Sequence, residues 1–185
     1  MSRILTTLAA ASLVALAAAP AGAQAAASAP APAPAPTSTG VAAIRGVYQG
    51  AQRNLLAVAE QLPDSAFAWR PTAQVRTAGE LLAHVANAHN MICSAALGEA
   101  NPADENYEKT RTTKAAIADA LRTSSAVCER AFAQSDADAA ATTKLFGRDQ
   151  SRMSALAVVA IHDWEHYGNL VTYMRILGMV PPSSQ

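Results

Sequence analysis

Thr77-Ala78-Gly79-Glu80-Leu81-Leu82-Ala83-His84-Val85 is the stretch from which the architecture follows. The Thr77 side chain can accept a bond from the Glu80 amide, and Glu80 can return one to the Thr77 amide, a capping box directly before an apolar run. Leu81, Leu82, Val85, Ala88 and Ile92 then recur at helical spacing to about Leu97, where Gly98 can end the helix in a left-handed conformation. This predicts a long helix with His84 two turns from its start.

Three more helices lie outward of it. One runs from about Val41 to Leu62, with Ile44, Val47, Tyr48, Leu55 and Val58 as its stripe and Pro63 as its stop. A polar connection, Glu99 to Arg111, leads to a third from about Thr112 to Gln134, carrying Ile117, Leu121, Val127 and Phe132. Asp136 to Gln150 is polar and alanine-rich, with Gly147-Arg148-Asp149 as a turn or cap signal. The fourth helix, about Ser151 to Leu177, ends at Gly178 with Pro181-Pro182 beyond. No stretch alternates apolar and polar residues long enough to predict a strand, so the expectation is an all-α four-helix bundle over residues 41–185.

The preceding residues do not belong to that core. Met1 to Ala23 carries Arg3, an alanine- and leucine-rich apolar stretch and the small-residue run Ala21-Gly22-Ala23, which reads as a cleavable secretory signal cut after Ala23. The apolar stretch is short for a membrane span, and no cysteine lies at the cut for a lipid anchor, so a periplasmic or secreted protein without a permanent span is expected. Residues 24–40 alternate Ala with Pro and add Ser and Thr, a composition that builds no core and acts as a disordered tether. Fourteen basic and fourteen acidic residues balance, with no basic stripe, which argues against nucleic acid as a partner. A small-molecule substrate or ligand is the expected partner, and a homodimer is compatible with the sequence.

The chain has four histidines. His162 and His166, in His162-Asp163-Trp164-Glu165-His166, share one helical face at a spacing that can hold one metal ion. His84 and His89 are five residues apart, about 140° around a helix, and cannot both face that ion. His84, at the edge of its apolar stripe, is the better third ligand. Three imidazoles with open positions make a catalytic rather than a closed structural site, and they suit zinc, nickel, iron or copper. The plainer alternative is that each histidine is a satisfied, half-buried helix residue. The letters also match the inverted zincin pattern His-x-x-Glu-His, but no Asp or Glu follows Glu165 to serve as the downstream ligand, and Asp163 breaks the forward His-Glu-x-x-His pattern. Neither Asp163 nor Glu165 shares the histidine face, so no general base, and no catalytic side chain, is assigned. Tyr48, Asn87, Met91 and Tyr173 are candidates for pocket lining as well as for core or rim, and Trp69 is expected to pack its loop against the bundle.

The run Arg76-Thr77-Ala78-Gly79-Glu80-Leu81-Leu82-Ala83-His84, with His162-Asp163-Trp164-Glu165-His166-Tyr167-Gly168-Asn169 and Arg175-Ile176-Leu177-Gly178 before Pro181-Pro182 far downstream, resembles the DinB-like (DinB/YfiT) superfamily. The resemblance implies a four-helix bundle of up-down-down-up topology. It also implies a divalent metal, here zinc, nickel or iron, on His84, His162 and His166. Its implied activities are transfers and isomerisations with low-molecular-weight thiols, in which the metal activates a thiolate. Gly168-Asn169 stands where members usually carry Gly-Gln, and members are typically cytosolic whereas this chain looks exported.

That topology bears on Cys93 and Cys128, the only cysteines. Each stands about 16 residues into its helix, so the two lie at similar heights if the second and third helices run parallel, and they would then be placed for a disulfide. Two buried small hydrophobes are the alternative. Three functions stay open: a metal-dependent enzyme working by hydrolysis or thiol transfer, a non-catalytic periplasmic metal- or ligand-binding bundle, and a bundle with structural histidines.

Overall fold

Side-chain N-caps start three of the four long helices of the computed structural model, which describes residues 40–103 and 105–185. The expected signal (1–23) and nearly all of the expected tether (24–40) lie outside the described residues. The elements are α1 (Val41–Gln61), α2 (Asp64–Phe67), α3 (Ala78–Leu97), α4 (Tyr107–Thr110), α5 (Lys114–Ala131), α6 (Asp136–Ala139), β1 (Thr142–Leu145), β2 (Arg148–Ser151) and α7 (Arg152–Ile176), closed by a 3-10 turn at Pro182–Ser184. The capping box forms as expected: Thr77 Oγ1 accepts from the Glu80 amide at 3.1 Å and Glu80 Oε2 accepts from the Thr77 amide at 2.7 Å. Ser151 caps α7 through the Ser154 amide at 3.1 Å, and Thr113 caps α5 through the Ala116 amide at 3.2 Å. The amide of Met179 bonds back to the Met174 carbonyl at 2.8 Å around Gly178, whose φ of 73° makes that wrap possible.

The pairings fix the helix directions. Cys93 of α3 meets Cys128 of α5, and His89 meets Ser124, so these helices run parallel. At their other end Gly79 lets α3 sit close: a Cβ there would lie 2.9 Å from the Phe67 carbonyl oxygen and 3.1 Å from the Ile117 side chain. On α1, Arg45 pairs with Glu129 at 3.0 Å while the Leu62 carbonyl just past its end accepts from Lys114 at 2.7 Å, so α1 and α5 are antiparallel. Val47 accepts from the Trp164 indole at 2.9 Å and Gln61 meets Gln185, so α1 and α7 run parallel. The bundle is therefore up-down-down-up. Its parallel central pair requires the connection 98–113 to travel back along the bundle, and α4 rides on it.

Buried apolar side chains form two clusters, one around Leu55, Leu82, Leu121 and Leu170, the other around Ile92, Phe132, Leu156 and Val159. On each long helix a polar residue falls between them: Gln52, His89, Ser124 with Ser125, and Asp163, all buried. Gln52 pairs with Ser125, and His89 with Asp163 and Ser124, so the polar belt is largely satisfied internally.

The architecture differs from the sequence expectation in the segment after α5. That helix ends at Ala131 rather than Gln134, and residues 142–151 form an antiparallel hairpin with Leu145 opposite Arg148. The strands are four residues each and hold one apolar residue, Leu145, too little for a period-two pattern to register. Thr143 Oγ1 ties the hairpin to the Ala95 carbonyl near the end of α3 at 2.6 Å. Trp69 packs its loop onto Tyr173 at 5.6 Å between ring centroids, as expected. Among the described residues no helix is long and apolar enough to cross a membrane.

Cys93 and Cys128 are joined in a disulfide, with Cα atoms 5.0 Å apart and both residues fully buried. The bridge closes a loop spanning 35 residues, which includes the whole crossover. Replacing both cysteines with alanine should lower the unfolding free energy in urea by about 2 to 4 kcal/mol. An unchanged denaturation midpoint, with the same result for the reduced parent, would contradict this role.

Candidate metal centre

α3 and α7 pack against each other, and together they bring three imidazoles to one place. His84 Nε2 lies 3.2 Å from His162 Nε2, and His162 Nε2 lies 3.0 Å from His166 Nε2. A ligand atom from each of the three falls within 4.8 Å of the others, so His84, His162 and His166 could hold a metal ion. The rings are set nearly perpendicular where His166 meets His84 and His162, at 83° and 84°. Two imidazole nitrogens bonded at about 2.1 Å to one ion, at angles of about 90° to 110°, stand about 3.0 to 3.4 Å apart. The observed Nε2 spacings fall in that interval. Three ring nitrogens converging on one point have too few protons and lone pairs to satisfy each other pairwise, whereas a shared cation meets all three.

The outer nitrogens are handled separately. Glu108 Oε1 accepts from His84 Nδ1 at 2.8 Å, which leaves the lone pair on the inward Nε2. Glu108 is in turn held by Arg76, whose Nε donates to Oε2 at 2.7 Å. Burial alone would raise the Glu108 carboxyl, but the bonds from Arg76 and His84 bring it below the usual glutamate range. Asn169 Nδ2 lies 3.4 Å from His166 Nδ1. Among the described residues the buried His162 Nδ1 has no hydrogen-bond partner, and Asp163 Oδ1 lies 3.8 Å from it.

Burial lowers the pKa of His84, partly opposed by its bond to Glu108. Burial, followed by repulsion from His162 and His84, lowers that of His166 to about 4. These two rings are therefore neutral at pH 7, the state in which imidazole binds metal.

His89 is excluded from the site, as its position on the helix required. It points into the core and donates from Nε2 to both Asp163 oxygens, at 2.9 and 3.0 Å. Asp163 accordingly faces the core, not the triad. Tyr48 is also core, stacked on Phe132 at 4.7 Å between ring centroids. Asn87 and Met91 line a cleft of about 590 Å³ that ends on His84 and His162, while Tyr173 lines a second, more polar cleft beside His166. Sequence reading missed Glu108. It lies in the polar connection, where nothing separates it from Glu99 or Glu105 until the crossover is folded onto α3.

Fold and site together define a four-helix bundle with a three-histidine centre between α3 and α7. The chain belongs to the DinB superfamily, whose sequence pattern matches residues 48–170. Among solved structures it is similar to a DinB-like protein from Bacillus cereus ATCC 10987, with 20% identity and a TM-score of 0.66 over 75% of this chain and 93% of that one. It is also similar to a DinB-like protein from Bacillus subtilis, with 18% identity and a TM-score of 0.59 over 77% of this chain and 98% of that one. A third likeness is to the mycothiol-dependent maleylpyruvate isomerase, with 18% identity and a TM-score of 0.58 over 71% of this chain and 61% of that one. At these identities the likeness is one of fold. No curated protein gives a match.

The depressed His166 pKa predicts how the metal-free chain responds to acid. Its folded-state value of about 4 lies below the ordinary 6.5, so the unfolded chain binds more protons between those values and stability falls as pH drops from about 6.5 to about 4. His84, lowered from 6.5, adds to the effect in the same window, and the lowered carboxyls of Glu108 and Asp163, ordinarily 4.5 and 3.8, act from its lower edge downward. Urea midpoints at pH 7, 5.5 and 4.5 should fall in that order for the parent and fall less steeply for His166→Gln. Equal slopes would contradict the assignment.

Proposed function

We propose that this protein is an exported, metal-dependent enzyme of the DinB type that binds a divalent ion through His84, His162 and His166 and acts on a small molecule by hydrolysis or thiol transfer. His162 Nε2 standing 3.2 Å from His84 Nε2 and 3.0 Å from His166 Nε2, with a ligand atom of each histidine within 4.8 Å of the others, carries this reading. A divalent ion would supply Lewis acidity there, lowering the pKa of a bound water or thiol. The chain's residues do the rest. Glu108 keeps the His84 proton at Nδ1 and so keeps Nε2 free. Arg76 holds Glu108 in place, and the crossover walls one side of the centre.

The fold shared with a thiol-dependent isomerase supports the thiol reading. The signal-like residues 1–23 and a buried disulfide, which belongs to oxidising compartments, favour export and so hydrolysis. One observation favours the non-catalytic alternative, a metal- or ligand-binding bundle: Glu108, the carboxylate bonded to the triad, is already committed to Arg76 and His84 rather than free to move protons.

Untagged protein dialysed against zinc and analysed by elemental mass spectrometry should hold one zinc per chain, and His162→Ala should hold far less. Glu108→Gln should weaken zinc affinity by about 10- to 100-fold in chelator competition. A parent that holds no more metal than His162→Ala would remove the metal centre, whichever reaction is considered.

A further inference from the structure

The cleft ending on His84 and His162 has a composition that selects its ligand. Its apolar surface comes from Ala88, Met91, Ile92 and Phe146, and asparagines such as Asn87 and Asn106 supply its polar groups. Among its described lining residues there is no lysine or arginine, and its carboxylate, Glu105, is paired with Arg111. The cleft beside His166 is the opposite case, with Arg70, Arg76, Glu80, Glu108 and Glu165 around it. A volume of about 590 Å³ is within the range of small-molecule sites.

Phe146 is the unexpected member of this wall. It occupies the first position of the two-residue turn between β1 and β2, with φ of 51°, followed by Gly147 at 76°. Two successive positive φ values are the pattern of a type I′ hairpin turn, where Asn-Gly is favoured and a bulky aromatic is not. Phe146 is also 64% exposed, so the hairpin does not use it as core. Met91, beside it on α3, is likewise left 38% exposed. An aromatic residue held in an unfavourable backbone conformation, in solvent, at the mouth of a cleft that reaches two of the three histidines is explained by a ligand that covers it.

We propose that this cleft binds the apolar part of an uncharged small-molecule substrate, with Phe146 and Met91 as its specificity-determining contacts and the substrate's polar group directed to His84 and His162. The assignment of a substrate rests on the metal-enzyme reading above. It adds the chemical class: an uncharged molecule with an aromatic or branched apolar portion, as opposed to an anionic one.

The test uses the zinc-loaded mature chain and N-phenyl-1-naphthylamine, an uncharged dye that fluoresces in apolar sites. Phe146→Asn suits the turn, so the hairpin is kept while the ring is lost; its dissociation constant for the dye should rise about tenfold. Met91→Gln should act in the same direction, and Val180→Asn, at an exposed apolar residue outside the cleft, should have no effect. The anionic analogue 8-anilinonaphthalene-1-sulfonate should bind more weakly than the neutral dye. Unchanged dye affinity in Phe146→Asn and Met91→Gln, with zinc still bound, overturns the cleft assignment and leaves the metal centre intact. Zinc content is measured on the same samples, and a parent without zinc overturns the metal reading and the substrate assignment with it.

Discussion

The buried pairing of His89 with Asp163 is the constraint on which the arrangement of α3 and α7 depends. Both residues are fully buried, and His89 Nε2 reaches both carboxylate oxygens at hydrogen-bond distance. Burial by itself would raise the Asp163 carboxyl; attraction to His89 and His162 more than offsets this and brings it below its usual range. Such a pair is no guarantee of net stability, but leaving either partner alone in the core costs several kcal/mol, about 3 to 5 in comparable cases. Any sliding of α3 along α7 would separate them. The pair thus fixes the register in which His84, about 140° around α3 from His89, meets His162 and His166, which flank Asp163 on α7.

The crossover supplies what the two helices lack. Parallel α3 and α5 oblige residues 98–113 to return along the bundle, and they do so over the histidines. Asn87 anchors that path by accepting from the Tyr107 amide at 3.1 Å and donating to Asn106 at 3.1 Å, and Asn90 donates to the Tyr107 hydroxyl at 3.3 Å. This places Glu108 on His84. The disulfide ties the same two helices at the end where the crossover departs. Topology, redox chemistry and site geometry are therefore coupled: the connection required by the parallel pair is the wall of the centre.

What could be read from the sequence follows the range of the interaction concerned. The α3 start was legible because Thr77 and Glu80 cap locally, and His84 could be preferred to His89 because 140° of helical rotation is a local fact. His162 and His166 were legible for the same reason. The disulfide could be stated only after a topology was supposed, since helix direction is a long-range property. Glu108 was invisible because its partner stands 24 residues away across a turn whose path no periodicity encodes. The hairpin was missed because its strands are four residues long and hold one apolar residue, Leu145, and with it went Phe146, whose meaning depends on a backbone angle.

The central claim is that His84, His162 and His166 act together as one metal centre. Its most direct measurement is a crystal structure of the zinc-loaded protein with diffraction data collected on both sides of the zinc absorption edge. The account predicts a single anomalous peak about 2.0 to 2.1 Å from Nε2 of all three histidines, with Glu108 still bonded to His84 Nδ1. A peak elsewhere, or none at the triad at saturating zinc, would contradict it.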